Sequence, residues 1–351
     1  MSKKRVLIVD DSQLITDLLT QILSSDERLE VVGTASDPFC ARDKIKALNP
    51  DVITLDIEMP RMDGLTFLRN IMRLRPIPIV MISSLTQQGA DATLEALALG
   101  AIDFVPKPKV SVSQQMKQLS DEICRKVRMA ANANVQALES GHSIAQKRSP
   151  PPILEINSRL SSKIDLIAIG ASTGGTEALK VVVCRMPELM PPIVVVQHMP
   201  KNFTQSFAQR VDSITNLVVE EFTEDGQQLK AGRIYIAHGG HHMIVKKRAN
   251  VLKGYIVDSP PVNRHCPAVD VMFESIAEWS TNNVIGVILT GMGADGARGM
   301  GELHANGAET IAQDEVSSVV WGMPRVAIEQ DAVSRVLPLS KIGRFLIDRC
   351  Y

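Results

Sequence analysis

The sequence predicts an α/β protein of two domains, an N-terminal doubly wound five-stranded parallel domain and a C-terminal α/β domain with a mainly parallel sheet. Two observations predict this fold class. Short apolar runs with the length of buried strands alternate with amphipathic segments of helical period. The alternation stops at one polar stretch and then resumes, in a chain of 351 residues, which is long enough for two domains. Because such apolar runs are typical of strands buried on both faces, helices should cover both sheets.

The first domain, predicted to span residues 1–125, alternates strand and helix about five times. Its strands are predicted near residues 5–10, 30–34, 51–56, 78–82 and 102–105. Its helices are predicted near residues 12–25, 37–48, 64–74, 88–99 and 112–130. This order is typical of a parallel sheet with helical crossovers.

A polar segment, residues 126–160, is predicted to link the two domains. It contains three consecutive prolines, Pro150, Pro151 and Pro152, which favour a stiff extended linker. The second domain, residues 161–351, resumes the apolar runs. The runs predicted to be strands are IDLIAIG, PIVVVQH, GRIYIAH, NVIGVILTG and AETIAQD.

Composition excludes several classes of protein. The formal net charge is -1, so no global basic field predicts a nucleic-acid partner. No apolar run approaches the roughly 18 residues that span a bilayer, so no direct membrane insertion is expected. The five cysteines are scattered without a CxxC pair, which favours a reduced compartment. The segment MSKKRVLIVD leads straight into a strand and leaves no room for a signal peptide, so a cytoplasmic protein is expected.

Carboxylates follow two strands of the first domain. Asp10 and Asp11 end the first strand, and Asp56 ends the third, while Ser83 and Lys107 follow the fourth and fifth. The carboxyl ends of parallel strands meet at one edge of a sheet, so these side chains should lie together. Three crowded carboxylates need a cation, and all-oxygen ligation favours Mg²⁺. The pattern predicts phosphorylation of a nucleophilic carboxylate at Asp56. The alternative is a solvated acidic rim on an ordinary α/β domain.

The second domain carries a candidate nucleophile at the end of its first strand. Gly170, Ser172 and Gly174 have the G-x-S-x-G spacing that lets a strand turn sharply into a helix and expose a hydroxyl. The backbone amides that follow, at a helix N-terminus, would stabilise negative charge. His198 ends the next strand, and Asp295 follows a later one. A serine needs a base, and the base needs an orienting carboxylate, so the three predict a catalytic triad.

A second pattern competes for the same region. Gly291, Gly293 and Gly296 spell G-x-G-x-x-G after a strand, with acidic residues about 20 positions on, which formally matches a dinucleotide fingerprint. The motif lies late in the domain, and Asp295 falls inside the loop that would hold a pyrophosphate. The glycines are better explained as letting backbone amides near Met292 approach an oxyanion, so no cofactor is predicted for this domain.

Two further groups of residues allow alternative interpretations. The histidines of YIAHGGHH, His238, His241 and His242, could suggest a metal, but no carboxylate or cysteine lies at ligand spacing, which favours loop histidines. His265 next to Cys266 could suggest a thiol nucleophile. Adjacent residues usually point apart, so Arg264 and His265 are interpreted as polar groups on the substrate side.

The carboxylate pattern of the first domain resembles the receiver domain of two-component response regulators. The motifs are RVLIVDDS, DVITLDIEMPRMDG, IVMISS and IDFVPKP. The resemblance implies that Asp56 is the phosphoacceptor and that Asp10, Asp11 and Asp56 are the Mg²⁺ ligands. It implies Ser83 as the switch hydroxyl, Phe104 as the rotating aromatic residue and Lys107 as the conserved-type lysine.

The whole chain resembles the chemotaxis protein-glutamate methylesterases, which are also glutamine deamidases. The motifs are GASTGG, VVVQHMP, VNRHCPAVDVMFES and LTGMGADGARG, behind a receiver and a linker. The resemblance implies Ser172 as nucleophile, His198 as general base and acid, and Asp295 as the orienting carboxylate. It implies an oxyanion and substrate side formed by Thr173, Met292, Arg264 and His265. One departure is His238, where the family usually has proline, which concerns the conformation of that loop.

The resemblance also implies a mode of regulation and a set of partners. The enzyme would be activated by phosphorylation, with the histidine kinase of the chemotaxis pathway as phosphodonor and methylated chemoreceptors as substrates. Two alternatives remain: a response regulator whose second domain only binds a partner, and a nicotinamide-binding output domain. The intact Ser172, His198 and Asp295 favour the esterase over the first, and the absence of a fingerprint at the domain's first strand disfavours the second.

Overall fold

The structure is a computed structural model that describes residues 2–59, 62–84, 86–108, 113–137, 164–280 and 282–351. The chain divides into two compact units, Met1–Val135 and Gln136–Tyr351. The predicted linker, including its three prolines, lies largely outside the described residues. Among the described helices, none combines the length and the apolar character that crossing a membrane requires.

The first unit is a five-stranded parallel sheet in the order β2-β1-β3-β4-β5. Its strands are β1 Lys4–Val9, β2 Leu29–Ala35, β3 Val52–Asp56, β4 Ile79–Ser83 and β5 Asp103–Pro106. Its helices are α1 Gln13–Ser24, α2 Pro38–Leu48, α3 Gly64–Leu74, α4 Gln87–Ala98 and α5 Ser113–Ala130. The central strands β1, β3 and β4 are almost fully buried, as their uninterrupted apolar sequence predicts. Helix α5 continues to Ala130, past the predicted domain end at residue 125.

The second unit contains a seven-stranded parallel sheet in the order β14-β13-β12-β6-β7-β9-β8. Its strands are β6 Leu166–Ala171, β7 Ile193–Gln197, β8 Val218–Phe222, β9 Arg233–Ala237, β12 Val284–Ile288, β13 Glu309–Gln313 and β14 Arg335–Leu337. Its helices are α6 Gly175–Val183, α7 Lys201–Asp212, α8 Val269–Ala277, α9 Ala297–Ala305, α10 Met323–Glu329 and α11 Leu339–Cys350. Strand β6 lies between β7 and β12, so the chain leaves it on one side and returns on the other. Ligand sites of open parallel sheets form at such a switch point, beyond the strand carboxyl ends.

An antiparallel hairpin, β10 His242–Arg248 and β11 Val251–Val257, adds a separate two-stranded sheet to this unit. Its turn has positive φ at Ala249 and Asn250, the geometry that two-residue hairpin turns require. The hairpin packs inward through Met243, Val245 and Leu252, which belong to the buried core beside the parallel sheet. The α/β fold class of both units is thus the predicted one.

Helices α8 and α9 pack against the sheet through methionine and phenylalanine. Met272, Phe273 and Met300 are fully buried there, and Met186 and Met199 are buried elsewhere in the unit. Long unbranched methionine side chains fill irregular gaps in a core. These helices pack with β6, β7 and β12, at whose carboxyl ends the candidate site lies.

Candidate active site

Ser172 lies at a sharp turn between β6 and α6. Its amide donates to Thr290 O at 3.1 Å, and its carbonyl accepts from Gly175 N and from Gln197 Nε2, both at 2.8 Å. Gly174 follows with φ 75°, a left-handed conformation, and a Cβ there would lie 2.8 Å from Val319. The backbone of this turn is therefore held on both sides while the serine side chain stays half-buried at the strand end.

His198 lies beside Ser172 because of the strand register. Ala171 of β6 pairs with Gln197 of β7, and the His198 amide donates to Ala171 O at 3.1 Å. Ser172 and His198 are therefore the next residues on two adjacent parallel strands, which lie about 4.8 Å apart. The imidazole is 5% exposed, so its chemistry is shielded from water.

His198 Nε2 lies 2.7 Å from Asp295 Oδ2. An ionised carboxylate can only accept a hydrogen bond, so Nε2 carries the proton and Nδ1 carries the lone pair. His198 Nδ1 is buried and has no hydrogen-bond partner among the described residues. The nitrogen that can accept a proton is thus the one left for a neighbouring hydroxyl.

The carboxylate of Asp295 accepts hydrogen bonds at both oxygens. Oδ2 accepts from His198 and from Val269 N at 2.6 Å, and Oδ1 accepts from Asn263 Nδ2 at 2.8 Å and from Asp270 N at 3.3 Å. Val269 and Asp270 begin α8, whose N-cap residue makes no side-chain cap of its own, so Asp295 caps this helix.

These contacts keep Asp295 ionised. Burial by itself would raise the pKa of the carboxyl. The hydrogen bond and charge of His198, followed by the bonds from Asn263 and Val269, outweigh burial and lower the pKa of Asp295 to about 2. A carboxylate that is always charged near neutral pH is suited to hold an imidazole and to stabilise its protonated form.

The glycine-rich loop after β12 runs next to Ser172. A Cβ at Gly291 would lie 2.8 Å from Ser172 Cβ and 2.3 Å from Met323 Sδ, so only glycine allows this approach without a shift. Met292 follows and is half-buried. Thr173, next to Ser172, is buried, and its carbonyl accepts from the Thr290 hydroxyl at 3.0 Å. The loop after β12 therefore passes close to the backbone and side chain of Ser172.

Three further predicted residues, His265, Arg264 and His238, differ in their contacts and exposure. The His265 ring stacks on His198, with centroids 3.7 Å apart and planes at 4°, whereas Arg264 is exposed. The Nδ1 of His238 lies 2.6 Å from Gly239 O, and its Nε2 lies 3.9 Å from Glu221. Among the described residues, the one grouping of acidic, histidine or cysteine side chains close enough to hold a metal lies in the first unit.

That grouping is Asp10, Asp11 and Asp56, whose ligand oxygens all lie within 4.8 Å of one another. Asp10 Oδ2 is buried without a hydrogen-bond partner among the described residues, so the group contains a buried acceptor that no described donor satisfies. Lys107 Nζ lies 2.8 Å from Asp56 Oδ2. Three carboxylates with an unsatisfied oxygen fit the all-oxygen coordination of Mg²⁺.

The surroundings of Asp56 are buried and polar. Burial raises the pKa of Asp56 to about 6, although the hydrogen bond from Lys107 opposes this. The buried Ser83 hydroxyl lies 2.6 Å from Thr93 Oγ1, and Phe104 is buried, with the Lys126 ammonium 5.1 Å from its ring centre. A cation beside Asp56 would favour its ionised, nucleophilic form.

Two residues of the second site did not stand out in the sequence. Asn263 and Asp270 contact Asp295 directly. The available signal was Asn263 within VNRHCP, shortly before a helix start, since asparagine favours turns and tolerates the left-handed conformation. Which carboxylate its side chain reaches depends on the tertiary fold.

Comparison with known proteins gives matches over nearly the whole chain. The family model described as CheB methylesterase matches residues 167–346, and that of the response regulator receiver domain matches residues 6–120. A protein-glutamate methylesterase/protein-glutamine glutaminase from Hydrogenovibrio crunogenus is 49% identical over 370 residues, covering 97% of each chain. Protein-glutamate methylesterase/protein-glutamine glutaminase 2 of Vibrio vulnificus is 51% identical over 349 residues, covering 99% of each chain.

A solved structure supports the same assignment for the second unit. The crystal structure of the Thermotoga maritima CheB methylesterase catalytic domain is 40% identical, with a TM-score of 0.51, and covers 53% of this chain and 98% of that chain. The match to both family models and the identity over almost the full length lead to one conclusion: this chain belongs to the CheB methylesterase family and carries a response regulator receiver domain.

Proposed function

We propose that this chain hydrolyses glutamate methyl esters, and deamidates certain glutamines, on the cytoplasmic helices of chemoreceptors, with Ser172, His198 and Asp295 as its catalytic residues. The observation that carries this proposal is the 2.7 Å contact of His198 Nε2 with an ionised Asp295, which leaves the unpaired Nδ1 to act as the base for Ser172 on the adjacent strand end. The names of the full-length relatives support the substrate class.

The reaction follows from the protonation states. Ser172 Oγ attacks the ester carbonyl carbon while His198 Nδ1 takes the hydroxyl proton. The carbonyl oxygen becomes an oxyanion, which backbone amides near Thr173 and Met292 would stabilise. His198 then gives its proton to the departing methoxide, and methanol leaves an acyl-serine. Water, activated by the same nitrogen, attacks that ester and restores Ser172, yielding glutamic acid. With glutamine the leaving group is ammonia.

Substrate contacts outside the triad belong to the same proposal. Arg264 is exposed next to the His265 ring that stacks on His198, so its guanidinium can meet acidic groups on a receptor helix. The second unit is proposed to need no cofactor, because a serine triad performs ester hydrolysis with protein groups alone.

The first unit would accept a phosphoryl group at Asp56, from the histidine kinase of a chemotaxis pathway. Asp10, Asp11 and Asp56 would hold a Mg²⁺ ion, which neutralises charge on the transferring phosphoryl group. Lys107 is placed to contact a phosphoryl oxygen, since its ammonium already lies 2.8 Å from Asp56. Ser83 and Phe104 would transmit the effect of phosphorylation at Asp56, Ser83 through its hydroxyl and Phe104 by rotation of its ring.

A cytoplasmic location is part of this proposal. All five cysteines, Cys40, Cys124, Cys184, Cys266 and Cys350, are unpaired in the structure, which suits a reducing compartment. The receptor segments that carry methyl esters would be reached from that side.

Methanol release from methylated receptor membranes tests the esterase assignment. The wild-type chain should release methanol, and Ser172→Ala should lose on the order of 10⁶ of the turnover, down to the background of the assay. Ser213→Ala is the matched control, because Ser213 is exposed at the end of α7 and its hydroxyl donates to Arg210 O of the same helix. Wild-type protein without methanol release would favour a second domain that only binds a partner.

Labelling with radioactive acetyl phosphate tests the phosphoacceptor. The wild-type chain should incorporate phosphate in the presence of Mg²⁺ and lose incorporation with a chelator. Asp56→Asn should not be labelled, and Asp11→Asn should be labelled more slowly at a given Mg²⁺ concentration. Incorporation that persists in Asp56→Asn would assign the phosphoryl group to another residue.

A further inference from the structure

A tight turn next to the triad, Val262–His265, presents two side chains to it. Val262 N donates to His265 O at 3.0 Å, and His265 N donates to Val262 O at 2.9 Å. The two central residues have positive φ, 52° at Asn263 and 70° at Arg264. This is the geometry of a two-residue hairpin turn, in which asparagine is favoured. The turn therefore fixes the directions in which the Asn263 and His265 side chains leave the backbone.

The Asn263 amide uses both of its hydrogens on buried carboxylates. Nδ2 lies 2.8 Å from Asp295 Oδ1 and 2.8 Å from Asp270 Oδ2. Asp270 is 3% exposed, and its other oxygen accepts from Gly299 N at 2.9 Å. Asn263 itself is exposed, but the two carboxylates that it joins are buried, and without the amide between them two acceptors would face each other, at a cost to both. The amide thus joins the triad carboxylate of Asp295 to the carboxylate of Asp270, which lies on α8 and is hydrogen-bonded to α9.

His265 contacts His198, the partner of Asp295 in the triad. Its ring lies parallel to the His198 ring, with centroids 3.7 Å apart and planes at 4°. A flat ring in contact with one face of an imidazole limits its rotation about the Cβ–Cγ bond. Since Nε2 must point to Asp295 and Nδ1 to Ser172, a limit on that rotation bears directly on proton transfer.

We propose that the Val262–His265 turn is a positioning clamp for the triad, in which Asn263 acts through Asp295 and His265 acts through His198. The proposal rests on the triad described above and adds two positioning residues, which act through the triad side chains. Asn263 holds Asp295 Oδ1, which leaves Oδ2 directed at His198 Nε2 while the imidazole gains and loses its proton. His265 holds the ring plane during the same step.

Glycine in place of Asn263 provides the first test, because glycine accepts a φ of 52° without strain. In the full-length, phosphorylated chain, Asn263→Gly should lower kcat for methanol release roughly 10- to 100-fold, the equivalent of one hydrogen bond to a charged group. The KM for methylated receptor should stay within about twofold, since the clamp orients groups and does not bind substrate. Unchanged kcat would overturn the proposal for Asn263.

Asn250→Gly is the matched control. Asn250 has φ 63° in the exposed turn between β10 and β11, so the same substitution is made at the same kind of backbone position. Its kcat and KM should match those of the wild-type chain. Both variants should melt within a few degrees of the wild type, which separates misplaced catalytic groups from a loss of fold.

Asn263→Asp adds a signature in pH that a merely structural role would not produce. Asp295 and Asp270 contact the Asn263 amide directly. The other charged or titratable groups nearby are the His198 imidazole on Asp295, the His265 ring stacked on His198, and the Arg298 guanidinium that acts on Asp270. At alkaline pH a third carboxylate would repel the other two. At acidic pH a proton on the introduced carboxyl group restores one donor.

The ratio of Asn263→Asp to wild-type kcat should therefore rise about tenfold as pH falls from about 8 to about 5.5. A ratio that is flat with pH would contradict the bridging role of the amide. Asn250→Asp, at the exposed matched position, should give a flat ratio close to one.

His265 is tested by a conservative pair. His265→Ala should lower kcat by roughly tenfold, about the worth of one aromatic contact. His265→Phe keeps a flat ring at the same position and should recover most of that loss. Equal loss in both variants would overturn the stacking role and return His265 to a polar role towards substrate. Wild-type chain without Ser172-dependent methanol release would instead reject the proposed function itself.

Discussion

The Asp295 carboxylate shows how single residues determine this chemistry. It accepts from the His198 imidazole, the Asn263 amide and the first two amides of α8. Each donor favours the charged form, so the carboxylate is ionised although it is almost fully buried. An ionised partner fixes the proton of His198 on Nε2 and leaves Nδ1 free to act as the base.

The first residue-scale prediction compares the loss of turnover in variants of the three triad residues. His198→Ala should cost turnover as much as Ser172→Ala, on the order of 10⁶, because the two act as one unit. Asp295→Asn should lower turnover less, by about 10⁴. The introduced amide can donate to Nε2, so that in most molecules the His198 proton is on Nδ1, where the base is needed. Turnover of methylated receptor measures both. A larger loss for Asp295→Asn than for His198→Ala would contradict an orienting role.

The second residue-scale prediction concerns stability and pH. The folded-state pKa of Asp295 is about 2, below the value near 3.9 of an unfolded chain. A depressed carboxyl pKa contributes stability that is complete above the unfolded pKa and is lost as pH falls through the folded one. The wild-type chain should therefore melt higher than Asp295→Asn at pH 7, and the difference should shrink between pH 4 and pH 2. A difference in melting temperature that is constant with pH would count against an ionised Asp295.

At the scale of elements, the parallel sheet of the second unit brings the site residues together. Strands β6 and β7 deliver Ser172 and His198 by register, and the loop after β12 brings Gly291 next to Ser172. A site built at the ends of three neighbouring strands is held by strands that are buried along their whole length, which limits its movement.

The element-scale prediction uses two glycines of the same region. Gly291→Ala would put a Cβ 2.8 Å from Ser172 Cβ, so the loop or the serine must move, and esterase turnover should fall at least tenfold. Gly301→Ala, inside α9, would place its Cβ 3.7 Å from Ala332 Cβ, an ordinary contact, and should leave turnover unchanged. It should also raise the free energy of unfolding by about 0.5–1 kcal/mol, through helix propensity. Thermal melting and methanol release measure the two effects, and full activity in Gly291→Ala would contradict the close approach.

Most central elements could be predicted from the sequence, because strands buried on both faces are uninterrupted apolar runs. The fold class is confirmed, and so are the family and the type of enzyme. Strands β8, β10, β11 and β14 were missed for identifiable reasons. Strand β8 is a half-exposed edge with Glu220 and Glu221, β14 has three residues, and the hairpin carries Lys246, Lys247 and Arg248. Polar and short strands of this kind lack the apolar signal.

The candidate sites were predicted to different depths. The strand-end rule brought Asp10, Asp11 and Asp56 into one expected group, and these residues do lie together in the structure. Their roles, like those of Ser172, His198 and Asp295, stay predictions until the variants are measured. Asn263 was missed because its link to Asp295 joins residues 32 positions apart on different elements, which no local pattern records.

At the scale of the whole molecule, a receiver domain and a methylesterase domain occupy one chain. The two compact units, Met1–Val135 and Gln136–Tyr351, each carry one candidate site. Allosteric coupling between two sites typically has a free energy of 1–3 kcal/mol, which corresponds to roughly 5- to 150-fold. Phosphorylation at Asp56 should therefore change esterase activity within that range, and it should not change the identity of the nucleophile.

The most direct test of the account is the rate of methanol release from methylated receptor membranes, measured with and without acetyl phosphate and Mg²⁺. The wild-type chain should be activated roughly 5- to 150-fold by the phosphodonor. Asp56→Asn should show the basal rate under both conditions, and Ser172→Ala should show none under either. Activation that survives in Asp56→Asn, or a wild-type rate that ignores the phosphodonor while Asp56 is labelled, would contradict an esterase at Ser172 controlled through Asp56.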